Sequence, residues 1–169
     1  TVPCELWFIN KNKPKKHQDK VLMLDARNVY TKVTRKVYNF SPEQTKNLSA
    51  IVWLYRGEQK RFLNLVESYL QETVDTAKAM AEPFEAFTKS LGELLETFET
   101  VDAETEKAKT IFEADCKTFK KTIQADAKNW QACKRNNAGL LTAAKMLEPL
   151  SETSRDLIKQ LDQLYKFTE

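Results

Sequence analysis

"CELWFINKNKPKKHQDKVLMLDAR", residues 4 to 27, is the stretch on which the fold turns. Two apolar runs, Leu6-Trp7-Phe8-Ile9 and Val21-Leu22-Met23-Leu24, flank a loop that holds Lys11, Lys13, Lys15, Lys16 and Lys20. Successive side chains of a strand point to opposite faces, so continuous apolarity predicts two strands buried on both sides. An isolated hairpin offers no such surroundings and is marginal in water. Strands of this kind sit in a sheet covered by helices, as in doubly wound α/β domains. Only one weaker strand signal follows, "VYTKVTRKVYNF" at 29 to 40, in which Val29, Thr31 and Val33 alternate with polar neighbours. The expectation is that the rest of the sheet precedes Thr1 in a longer protein, which the missing initiator Met also suggests.

Downstream the pattern is helical. "NFSPEQ" is a helix start: Ser41 suits the N-cap, Pro42 the first turn, and Gln44 the third position of a capping box. That helix is predicted to run to about Tyr55 and to stop at Arg56-Gly57. From Phe62 onward, apolar residues recur mostly at three- and four-residue steps through Val66, Tyr69, Val74 (one step late), Ala77, Ala81, Phe84, Phe87, Leu91, Leu94, Phe98 and Val101. The stripe keeps phase across Pro83, which predicts a kink or an abutting helix there, not a loop. After Asp102, a suitable N-cap, a second stripe carries Ala108, Phe112, Cys116, Phe119, Ile123, Ala127, Trp130 and Cys133. A short helix with Leu140, Leu141, Ala144 and Leu147 is predicted to end at Pro149, and Ser151 to cap a last one with Leu157, Ile158, Leu161, Leu164 and Tyr165. The fold class expected is therefore mainly α. An N-terminal β-hairpin, the remnant of an α/β sheet, comes first (1–61: two strands, basic loop, capped helix), then a long-helix, coiled-coil-like bundle or tail (62–169).

Composition narrows the function. The net charge of +3 conceals a division: residues 1–61 hold 13 Lys/Arg against 5 Asp/Glu, net +8, and residues 62–169 hold 14 against 19, net −5. The first part suits an anion, and the acidic remainder is ill suited to gripping DNA phosphates. The three glycines, Gly57, Gly92 and Gly139, stand singly, so no phosphate-cradling loop is present. Cys4, Cys116 and Cys133 have no metal or disulfide spacing, which fits a reducing cytoplasm, and no signal peptide or membrane-spanning run is seen. His17, the lone histidine, reads as a solvated loop residue, and Cys116 and Cys133 read as core thiols. Asp25 and Arg27 form the most site-like polar pair, with a local ion pair equally expected. Lys13, Lys15 and Lys16 are candidate contacts to DNA phosphates. The aromatic stripe reads first as core or helix–helix interface.

The ordered string "LWFINKNK…KVLMLDARNVY…FSPEQTKNLSAIVWLYRGE", Leu6 to Glu58, resembles the end of the N6-adenine DNA methylase region in modification subunits of type I restriction-modification enzymes. The resemblance covers about a third of the chain. It implies a parent that uses S-adenosylmethionine to methylate adenine N6 in DNA, with a specificity subunit and a restriction subunit as partners. It also implies that the apolar runs are the last strands of the methylase sheet. On that resemblance, helices of the tail dock the specificity subunit, and Phe84, Phe87, Leu91, Phe98, Phe112, Phe119 and Trp130 are candidate interface residues; self-association of the tail is the corollary. The pattern departs from the family where catalysis is concerned. Pro3, Pro14, Pro42, Pro83 and Pro149 are never adjacent, so the Asn/Asp-Pro-Pro-Phe/Tyr motif that holds a flipped adenine is absent, as is the cofactor loop. No catalytic, cofactor-binding or metal-binding residue is assigned, and no cofactor is expected in this segment alone. A free-standing helical adaptor and a nonspecific DNA binder acting through Lys11–Lys20 are the competing readings.

Overall fold

A computed structural model describes residues 11–167, with the side chain of Phe167 excluded. The first apolar run, Leu6 to Ile9, lies outside the described residues. The chain divides into two compact units, 1–65 and 66–169.

In the first unit the hairpin forms from the weaker of the strand signals. Strands β1 (Thr31–Lys32) and β2 (Tyr38–Asn39) pair antiparallel, with Thr31 opposite Asn39 and Lys32 opposite Tyr38. The turn between them is closed by Val33 N–H donating to the Val37 carbonyl and by the Thr34 hydroxyl, which accepts from the amides of Lys36 and Val37. Tyr30 meets Tyr38 edge-on at 5.1 Å. Residues 21–24, predicted as a strand, are not one. They run without a ladder and leave Val21 76% and Met23 84% exposed, because no strand among the described residues lies beside them.

Helix α1 (Pro42–Arg56) is built as its sequence dictates. Ser41 Oγ accepts from Gln44 N, and Gln44 Oε1 accepts from Ser41 N, so the capping box is complete. Gly57 ends the helix at φ 81°, in the left-handed region that favours glycine. Its amide donates to the Leu54 carbonyl, and that of Glu58 donates to Trp53, the paired bonds of a Schellman stop. Of the described residues up to 65, only Ala50 is fully buried.

Helix α2 (Gln59–Leu95) starts in the first unit and continues into the second, where α3 (Ala103–Ala132) and α4 (Asn137–Phe167) complete an antiparallel succession. Asp102 caps α3 by accepting from the amides of Glu104 and Thr105 and from the Thr105 hydroxyl. The core comprises Val74, Ala77, Phe84, Leu91 and Leu95 from α2, and Phe112, Cys116, Phe119, Ile123 and Trp130 from α3. From α4 it takes Leu140, Ala143, Leu147, Leu150, Leu157 and Leu164. The backbones of α3 and α4 approach within 8 Å. Helix α2 reaches α3 through larger groups: Phe84 lies 6.0 Å from both Phe112 and Phe119, and Phe87 lies 5.7 Å from Phe112. Trp130 Nε1 donates to Gln71 Oε1 at 2.6 Å, and Arg135 pairs with Glu67 at 2.8 Å while its guanidinium stacks 3.8 Å from the Trp130 ring.

Two expectations change here, and a third, that no loop forms at Pro83, holds. Pro149 does not end a helix: α4 passes straight through it, since Leu147, Leu150, Leu157 and Leu164 hold one seam while Pro149 faces solvent. Leu95 is buried in place of Leu94, which is 40% exposed, because a 3.6-residue turn drifts off a strict seven-residue count. Pro83 is likewise exposed inside a continuous α2.

Candidate functional site

The basic loop is an ordered feature. Pro14 leads into a single 3-10 turn, Lys15–His17, closed by His17 N–H donating to the Pro14 carbonyl at 2.8 Å. The His17 ring packs at 4.3 Å, tilted, on Tyr55 in the last turn of α1. The Tyr55 hydroxyl reaches the Lys20 carbonyl at 3.4 Å, and Lys13 Nζ donates to the same oxygen at 3.0 Å. Lys16 lies against the stop of α1, its Nζ 3.2 Å from where a Cβ on Gly57 would stand. A cation there is favoured by the partial negative charge of the helix C-terminus. The loop is thus stapled to α1 at both its middle and its end.

Electrostatics follow from that packing. His17 is held below its ordinary pKa, first by desolvation and then by the positive charge of Lys16, Lys20 and Lys13. Lys15 is exposed on the same turn. Among the described residues of this unit, only Arg27 and Arg61 have a carboxylate partner, Asp25 and Glu58 respectively. Asp25 and Arg27 form a local clasp in which the Arg27 amide, Nε and Nη2 all donate to Asp25. Those bonds hold the Asp25 carboxyl down to about 2, which is the local ion pair that sequence allowed.

The interface candidates are treated differently by the fold. Phe84, Leu91, Phe112, Phe119 and Trp130 are enclosed by the chain's own helices, at 5% exposure or less, and fill the interior of the unit, the first of the two roles expected of the stripe. Phe87 is half-buried and Phe98 is 54% exposed, so these two remain accessible. What sequence missed is an open groove of about 470 Å³ between α2 and α4, lined by Tyr69, Thr73, Met80, Leu150, Arg155 and Ile158 among others. The α4 side was hidden by the helix break expected at Pro149.

Gly57 is a helix stop, and Gly92 and Gly139 lie inside α2 and α4, so none of the three opens a loop whose amides could face a phosphate. No His, Cys, Asp or Glu group among the described residues could hold a metal ion. No helix among them is long and apolar enough to cross a membrane.

Residues 1–82, 82 of 169 and so just under half of the chain, match the family model of the N-6 DNA methylases. The matched region holds the basic loop, the hairpin and α1, and the N-terminal part of the chain is similar to an adenine-N6 DNA methyltransferase there. No curated protein and no solved structure matches the chain.

Proposed function

We propose that this chain is the C-terminal part of the modification subunit of a type I restriction-modification system. On this reading the parent methylates adenine N6 with S-adenosylmethionine in the cytoplasm. The first unit is the end of the methylase domain, and the helical unit serves assembly with the specificity subunit, with the restriction subunit and DNA reached through the complex. The observation that carries the reading is the family match over residues 1–82, which contains the whole of the first unit, where Ala50 alone is fully buried among the described residues. Val21, Leu22, Met23 and Leu24 lie in the matched region with 36% to 84% of their surface in water. Four consecutive exposed apolar residues outside any ladder are what a strand looks like without its sheet. Docking through Phe87, Phe98 and the groove between α2 and α4 is compatible with the burial pattern. Docking through Phe112, Phe119 or Trp130 is not.

The test is co-expression of this chain with a separately expressed methylase domain and specificity subunit of the same system. The reading expects a stable complex that methylates adenine in duplex DNA, while the chain alone transfers no labelled methyl group. Failure of any complex to form would reject it, and so would methyl transfer by the isolated chain. Phe98→Asp in the same assay weakens association with the specificity subunit if the turn after α2 is part of the dock.

A further inference from the structure

We propose that the basic loop stapled to α1, together with the β1–β2 turn, forms a preassembled surface for the sugar-phosphate backbone of duplex DNA. The choice of DNA over other polyanions rests on the methylase reading, whereas the surface itself rests on geometry.

Lys13 Nζ is fixed on the Lys20 carbonyl and Lys16 Nζ lies at the Gly57 stop of α1, and the loop that bears these lysines is held by the ring contact of His17 to Tyr55 and by the Tyr55 hydroxyl on the same Lys20 carbonyl. A loop fixed before binding loses less conformational freedom on meeting its ligand. A second group of cations, Lys32, Arg35 and Lys36, stands exposed along β1 and the turn after it. None of these six cations has a carboxylate partner among the described residues. The acids beside them do not cancel the charge. Asp25 is committed to Arg27 and Glu58 to Arg61, which leaves Asp19 within the loop and Glu43 in the first turn of α1. A small anion would be served by one cluster. Two clusters in one unit suit a polymer that repeats its charge, and phosphate contacts of this kind position a protein on a duplex without reading bases.

Fluorescence anisotropy of a labelled duplex of about 25 base pairs, titrated with the full chain between about 50 and 200 mM salt, tests the proposal. The wild-type chain binds at low salt with a steep salt dependence. The triple variant Lys13→Ala/Lys16→Ala/Lys20→Ala binds at least about tenfold more weakly, and its log-log salt slope falls by roughly 2 to 3, at about 0.9 for each phosphate that is no longer neutralised. A charge-matched control, Lys117→Ala/Lys128→Ala/Lys145→Ala on exposed positions of α3 and α4, stays within about twofold of wild type. Circular dichroism verifies that both variants keep their helix content. Absence of binding at low salt overturns the proposal. So does an equal loss in both triple variants, and so does tighter binding to anionic phospholipid vesicles or a polyglutamate peptide than to DNA. DNA binding by a chain that forms no complex with a methylase domain would uphold this surface and reject the parentage. A complex without loop-dependent DNA binding would do the reverse.

Discussion

The two units both carry apolar side chains in abundance and use them in opposite ways. In the second, α3 and α4 bury an apolar side chain on nearly every turn, and Phe112, Phe119, Trp130, Ala143, Leu147, Leu150 and Leu157 keep 2% of their surface or less. In the first, Ala50 alone is buried among the described residues, while Val21, Met23, Val33, Val37 and Phe40 stand largely in water. The contrast teaches that helical periodicity satisfies itself within one chain, because a stripe on one helix meets a stripe on the next. A strand-like segment apolar on both faces needs neighbours on both sides.

The sharpest way to break the comparison is to cut the same kind of group from each unit. Phe112→Ala removes a ring that touches both Phe84 and Phe87, and it destabilises the bundle by about 3 to 5 kcal/mol. Met23→Ala, at a site 84% exposed, changes stability by less than about 0.5 kcal/mol. Urea unfolding followed by circular dichroism reads both, and equal costs would erase the distinction. The next effect is at Gly139, where a methyl group would collide with the Lys134 carbonyl in the turn between α3 and α4. Gly139→Ala forces that backbone to shift, at about 1 to 3 kcal/mol in the same experiment. Ser41→Ala deletes the N-cap of α1, the best-formed local device of the first unit, and costs about 1 kcal/mol. Faster amide exchange at Gln44, which loses its acceptor, reports it directly.

Two smaller effects probe chemistry. Burial pushes the Cys116 thiol up to about 11, so at neutral pH it reacts with a disulfide reagent much more slowly than half-buried Cys133, as peptide mass mapping would show. The Asp102 carboxyl is held below its ordinary value of 3.8, first by the Thr105 hydroxyl and then by backbone amides. A depressed carboxyl stabilises above its unfolded pKa and ceases to do so as pH falls through the folded one. The first turn of α3 therefore keeps its cap until the pH falls below the ordinary carboxyl value, a fraying visible in the exchange rate of the Thr105 amide.

Most of the helices were legible in sequence because the residues that decide their ends are local. Ser41, Pro42, Gln44 and Gly57 act within one turn of α1, and Asp102 within one turn of α3. The seam residues of α3 could be counted off. Pro149 misled because a proline's effect depends on the face it occupies: on the solvent side, with Leu147 and Leu150 held in the core, its missing amide bond is outweighed. The interface candidates were open for a related reason, since one helical stripe cannot say whether its partner is the next helix or another protein. The run at 21–24 could be recognised as apolar on both faces, yet its pairing depends on groups far away. The lysines of the candidate site were plain, but the fastening of their loop to Tyr55 depends on contacts across 35 or more residues.

Hydrogen exchange of the full chain, resolved by peptide, tests the central contrast most directly. The account predicts that peptides within 112–130 and 140–157 exchange only through rare opening of the bundle, while residues 21–24 exchange at close to the rate of an unstructured peptide. Comparable protection of 21–24 and the bundle in the isolated chain would mean that those apolar residues already have their neighbours, and the account would be wrong.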